Sequence, residues 1–173
     1  MAKRPGVLTG TAGVYYVAYE LASRNFHAAV TYGNAPTVDL LVGLLDGSAT
    51  LSLQVKTSSS ALRTRGRGNA KSPDHYEWDV GQRSATLHRP DLFFAFVDLK
   101  SGSKQKPDVF IVPSKVVFDA FDRPYFKSGK ARRWRWHPKI EQVEQFKNNW
   151  DVLRSFLSGK AQAEALGATA EHI

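Results

Sequence analysis

The chain has 173 residues, 42% of them hydrophobic and 23% charged, and no cysteine. That length fits one ordinary domain with a closed core, and the missing thiols exclude disulfides, thiolate catalysis, cysteine–zinc sites and iron–sulfur clusters. Lysine and arginine number 24 against 16 aspartate and glutamate, a net charge of +8 that suits nucleic acid, an anionic membrane surface or an acidic protein partner. No apolar run reaches the roughly 18 residues that a bilayer crossing needs. The basic N-terminus MAKRPGVLTG is not followed by the apolar stretch of a secretory signal, so the expectation is a cytoplasmic protein with no membrane partner.

Residues 1–8 read as a short polar arm. Thr9 or Thr11 caps a predicted helix running to about Asn25, with Val14, Val17, Ala18 and Leu21 as its buried stripe. Residues 26–32 read as a strand, Gly33-Asn34-Ala35-Pro36 as a turn and 37–45 as a second strand. Asp46-Gly47 is a hairpin signal, and 50–56 is a third strand. Alternation puts Leu51, Leu53 and Val55 on one face of it, and Ser52, Gln54 and Lys56 on the other. Residues 57–75 lose periodicity and read as an exposed basic loop carrying Arg63, Arg65, Arg67 and Lys71. Two more strands follow at 92–99 and 109–112. The first, LFFAFVDL, is apolar nearly throughout and belongs in the middle of a sheet covered on both faces. A short helix at 114–121 opens on Pro113 and Ser114, and 123–139 is a second basic loop. A last helix spans 140–157 on the stripe Ile140, Val143, Phe146, Trp150, Leu153 and Leu157. This order predicts an α/β (α+β sandwich) architecture, a five-stranded mixed sheet flanked by helices. It predicts one domain over 1–158 and a frayed alanine-rich tail over 159–173.

Asp39 stands among Val38, Leu40, Leu41 and Val42, where an ionised carboxylate is costly without a partner. Gln54 and Lys56 lie on the neighbouring strand, and a hairpin turning at Asp46-Gly47 brings the three side chains together. An acid and an amide oxygen, helped by a main-chain carbonyl, hold a hard divalent cation. A lysine beside it contacts a phosphate or positions a water. Phosphodiester hydrolysis uses these parts. The same spacing also fits a partly buried Asp39–Lys56 ion pair with Gln54 as an ordinary strand residue.

The run Asp39-x14-Gln54-Val55-Lys56, preceded by GVYYVAYELASRN, resembles the PD-(D/E)XK nuclease superfamily of restriction endonucleases and Holliday-junction resolvases. The run LFFAFVDLK…PDVFIVPSKVV resembles small bacterial and phage proteins of this kind, so the similarity covers roughly residues 9–118. The resemblance implies a restriction-endonuclease-like core that hydrolyses DNA, duplex or branched, with Mg²⁺ or Mn²⁺. It implies in-line attack by water with no covalent intermediate. Asp39, Gln54 and the Val55 carbonyl match the metal ligands, and Lys56 the residue that orients water or steadies charge. Gln54 replaces the family's Glu or Asp, so the site loses one negative charge and holds Mg²⁺ less tightly. Resolvase-like members carry a Glu early in the first helix, where this chain has Val14. Glu20 is the available acid, at the stripe's edge beside Tyr16 and Arg24. It is either a further metal ligand or a solvated surface acid.

The segment 123–139 carries seven basic residues and no acid. At its centre Arg132, Arg133 and Arg135 interleave with Trp134 and Trp136, pairing cations for phosphate with indoles that stack on unpaired bases. Together with the 57–75 loop, this predicts a DNA-gripping surface whose binding weakens steeply with salt. The other reading is a solvated loop whose tryptophans pack on the last helix. The five histidines show no metal spacing, and no phosphate-binding glycine loop or GxSxG elbow is present. The sequence therefore points to a metal-dependent DNA endonuclease, with a homodimer suited to cutting two strands. Its alternatives are a non-catalytic nucleic-acid-binding module on the same fold and an interaction protein that faces an acidic partner.

Overall fold

The computed structural model describes residues 6–31 and 37–170, with side chains through 164. Helix α1 (Gly6–Ala22) leads into strands β1 (His27–Val30), β2 (Leu40–Gly43) and β3 (Thr50–Ser58). A hairpin of β4 (Leu62–Arg65) and β5 (Ser72–Tyr76) follows, then β6 (Trp78–Asp79), a one-turn α2 (Gln82–Ala85), β7 (Leu92–Asp98) and β8 (Asp108–Pro113). The chain continues through α3 (Ser114–Phe121), α4 (Pro124–Lys127), β9 (Arg135–Trp136), α5 (Ile140–Val143) and the long α6 (Asp151–Ala170). Five strands form one mixed sheet in the order β1-β2-β3-β7-β8; β3 and β7 run parallel, the other neighbours antiparallel. This is the α/β architecture, with helices flanking a five-stranded mixed sheet, that the sequence predicts. No helix among the described residues is long and apolar enough to cross a membrane.

Strand alternation gives the sheet two unlike faces. On the helix face, Leu40, Val42, Leu53, Ala95 and Ile111 pack under α1 and α6, which contribute Val17, Leu21, Leu153 and Leu157. Helix α1 ends where Asn25 turns left-handed (φ 60°), and the Phe26 N–H returns to the Leu21 carbonyl at 3.1 Å. It begins at Gly6, ahead of the predicted Thr caps; Thr11 Oγ1 donates instead to Val7 O. At Gly13, α1 lies close against β3: a Cβ there would lie 1.9 Å from Thr57 Oγ1. On the aromatic face, Phe94, Phe96 and Phe110 pack against Tyr76, Trp78, Phe121, Trp134 and Trp136. Strand β7 is buried along its whole length, as its apolar run requires.

Four expectations change. Residues 57–75 are not an aperiodic loop, since β3 extends to Ser58 and the remainder forms the β4–β5 hairpin, whose tip turns at Gly66 (φ 98°) and Gly68 (φ 55°). The segment 123–139 is partly regular, with β9 pairing β6 through Trp78↔Trp136. The helix predicted over 140–157 is broken. Lys147 bridges to Phe110 on the edge of β8, and Asn148 (φ 50°) donates its N–H to Val109 O. The chain thereby passes around the sheet edge, so that Val143 serves the aromatic face and Trp150, Leu153 and Leu157 the helix face. A straight helix cannot cover both sides of a sheet. Finally, α6 runs on past residue 159, with Lys160 Nζ donating to Thr50 O and Ala161 against the helix-face core. The predicted turn at 33–36 lies outside the described residues.

Candidate active site

The aromatic cover stops at β3. In register across the sheet, Ser52, Gln54 and Lys56 stand beside Leu92, Phe94 and Phe96 of β7. On their other side, Leu41 of β2 pairs with Ser52 and is 48% exposed. The polar row on β3 is therefore the boundary between a covered half of the sheet and an open half.

Asp39 lies just before β2, where the β2–β3 ladder ends at Leu40↔Leu53. Its backbone N–H donates to Leu53 O at 2.9 Å, and its carboxylate Oδ2 accepts the Val55 N–H at 2.7 Å. The side chain thus takes the place of a strand carbonyl at the point where β2 leaves β3. A strand residue's N–H and C=O leave on the same edge, so the Val55 carbonyl also points to the Asp39 side. Gln54 is only 5% exposed, and its Oε1 has no hydrogen-bond partner among the described residues. A buried acceptor left so costs about 1–3 kcal/mol unless a ligand satisfies it. A carboxylate oxygen, an orphaned amide oxygen and a main-chain carbonyl are each donors of the kind that a hard divalent cation takes. Among the described residues no cluster of three or more His, Cys, Asp or Glu forms a carboxylate-rich alternative.

Lys56 makes no ion pair with Asp39, so the simple ion-pair reading does not hold. Burial pushes the Lys56 ammonium below its ordinary range, and the charges of Asp39 and then Asp79 act against that push. Burial likewise raises the Asp39 carboxyl, opposed by the Val55 N–H and by Lys56. Asp79, on β6, is a site neighbour that sequence reasoning missed. It lies 23 residues from Lys56 in sequence, and only the packing of β6 onto the aromatic face brings its charge near.

Glu20 does not join this group. Its carboxylate pairs with Arg24 at 2.7 Å, and Arg24 stacks over Trp150 on the helix face. Burial, then the charge of Glu20, pushes the Tyr16 hydroxyl up to about 12, whereas the charge acting on Asp39 is that of Lys56. Gly13, the α1 residue that lies against Thr57 near the end of β3, is about 10 Å along the helix from Glu20 at 1.5 Å per residue.

The basic segments sort into exposed and engaged groups. Arg65, Arg67 and Lys71 on the hairpin, with Arg132 and Arg133, are exposed. None of them has a carboxylate at ion-pair distance among the described residues. Arg63 and Arg135 instead converge on Glu77, at 3.6 and 2.8 Å. Trp134 and Trp136, expected as base-stacking platforms, are each 8% exposed. Trp134 packs on Phe121 and Phe126, and Trp136 on Phe96, so their ring faces are occupied. They pack on the aromatic face rather than on the last helix, because β9 is drawn onto β6.

No family model matches the chain, and no curated protein sequence is similar to it. Among solved structures, the fold is similar to that of a bacterial homing endonuclease, I-Ssp6803I. The TM-score is 0.57 over 92% of this chain and 99% of that chain, at 14% sequence identity. At that identity the likeness speaks for the fold alone.

Proposed function

We propose that the chain is a DNA endonuclease of the PD-(D/E)XK type that works with Mg²⁺ or Mn²⁺. The observation that carries this reading is the buried Gln54 Oε1, without a hydrogen-bond partner among the described residues, next in β3 to the Val55 N–H that holds the Asp39 carboxylate, with Lys56 on the same strand face as Gln54. The fold likeness to a protein described as a homing endonuclease supports the nuclease part of it.

Asp39, Gln54 Oε1 and the Val55 carbonyl would hold the cation, whose chemistry there is to polarise a phosphate and acidify a water. Asp39 must be ionised to do this, and the Val55 N–H keeps its carboxylate aimed. Lys56 meets the charge that grows on the phosphate oxygens, in a half-buried setting where an ammonium counts for more than in water. The phenylalanine side chains of β7 wall the row on one side and exclude solvent. Exposed Arg65, Arg67, Lys71, Arg132 and Arg133 grip flanking phosphates.

The test is nicking or cutting of supercoiled and branched DNA with Mg²⁺ or Mn²⁺. Wild type should cleave, and Asp39→Ala and Lys56→Ala should each lose about 10²–10³-fold or more. Equal activity in all three proteins defeats the proposal. The single carboxylate favours a second reading, a nucleic-acid-binding module without turnover. Salt-sensitive DNA binding, with no cleavage and no Mn²⁺ effect on melting, selects that one.

A further inference from the structure

We infer that Arg89 is a phosphate-holding residue of this site, seating the nucleic-acid strand on the side away from Lys56. The inference rests on the DNA-cleaving reading and adds a contact to it. Alternate residues of a strand stand about 6.6 Å apart, so Ser52, Gln54 and Lys56 form an evenly spaced row. Arg89 Nη2 donates to Ser52 Oγ at 2.8 Å, and Ser52 is buried. The guanidinium therefore sits at one end of the row and the Lys56 ammonium at the other, with Gln54 and Asp39 between them. Neighbouring phosphates on one strand are separated by a comparable step. A phosphate at the Asp39–Gln54 centre would have one cation on each side along the backbone.

The position of Arg89 is set before any ligand arrives. Its N–H donates to Ser114 Oγ at 3.2 Å, and the same hydroxyl donates back to Arg89 O at 2.7 Å. Ser114 is buried at the start of α3, and Ser52 N–H donates to Asp91 O at 2.8 Å. These main-chain contacts hold the turn before β7 without help from the Arg89 side chain. The side chain itself is 41% exposed. Its Nε lies 3.2 Å from Asp91 Oδ1 but lacks the alignment of a hydrogen bond, so this exposed acid holds it weakly. The fork keeps donors for an external anion, and guanidinium geometry suits phosphate.

Binding of the full chain to a fluorescein-labelled duplex is read by anisotropy across a salt series, without divalent metal. Arg89→Ala should weaken binding several-fold at each salt and lower the slope of log K against log salt by about one. Arg89→Lys, which keeps the charge, should retain the slope, and Ser52→Ala, which removes the strut but not the cation, should retain it too. Wild-type affinity and slope in Arg89→Ala overturn the inference while leaving the DNA reading intact. So does an equal loss of slope in Ser52→Ala and Arg89→Ala, which makes the arginine a strut. A wild-type chain that neither binds nor cuts DNA overturns both.

Discussion

The two faces of the sheet differ in how completely they are covered, and the candidate site follows from that difference. The helix face is closed end to end, with apolar side chains from β2, β3, β7 and β8 under α1 and α6. The aromatic face is closed over β7 and β8 and as far as Ser52 and Gln54 of β3, by rings from β5, β6, α3 and the β9 segment. Across β3 the cover ends, and Leu41, His27 and Ala29 face outward. Polar groups placed on that boundary are dry enough to have shifted pKa values and open enough to meet a ligand. A fully covered row would admit nothing, and a fully open one would leave Asp39 and Lys56 ordinary.

That contrast can be broken by mutation. The largest effect is expected at Trp78, 1% exposed, whose Nε1 donates to Val97 O. Trp78→Ala should cost about 3–5 kcal/mol in chemical denaturation. Leu41→Ala, a large apolar residue on the same side of the sheet but beyond the boundary, should change stability by no more than about 0.5 kcal/mol. Similar costs at both would mean that the open half is covered after all.

Gly13→Ala sharpens the comparison from the helix face. Alanine is about 1 kcal/mol better than glycine inside a helix. Here the new methyl would lie 1.9 Å from Thr57 Oγ1 and 2.8 Å from its Cβ and Cγ2. Thr57 is stiff at χ1, and its main chain is held in β3. The clash should win, for a net loss of about 1–3 kcal/mol. Thr57→Ala in the same chain should restore only part, because its Cβ stays in the way. A Gly13→Ala chain as stable as wild type would show that α1 can lift off β3.

The smallest expected effect has the opposite sign. Asp39's raised pKa means that folding favours its neutral form. That contribution is complete below the ordinary aspartate value of about 3.9 and is lost as pH rises through the raised one. Near neutral pH the ionised carboxylate is a burden on the fold. Asp39→Asn, which keeps an acceptor for the Val55 N–H, should melt at or above wild type by roughly 2–4 °C per kcal/mol relieved. Its advantage should shrink toward acid pH, and it should lose both cleavage and any Mn²⁺-induced rise in melting. A clear fall in its melting temperature at pH 7 would put Asp39 among the structural acids.

Much of this was legible because it is local. The period of α1, the alternation in β3 and the apolar run of β7 each write one element's environment into consecutive residues. Gln54 and Lys56 share a face by strand geometry alone. The β4–β5 hairpin was missed although Gly66 and Gly68 mark its tip, because glycine and arginine together also suit a loop without structure. The break at Asn148 was hidden because a 3.6-residue period continues through it, while the two halves of the stripe serve opposite faces.

What residue order alone determined is the elements with a clear period (α1, β3 and β7), the polar row on one strand and the acid that precedes its neighbour, though as the last residue before β2 rather than inside the predicted strand 37–45, since periodicity records burial within a segment. Tertiary structure alone decided where the cover stops, that Glu20 belongs with Arg24, that Trp134 and Trp136 are packed in, and that Asp79 and Arg89 stand near the row. Those outcomes depend on which distant surfaces meet, and a side chain's neighbours across a sheet leave no spacing in the chain for a reader to find.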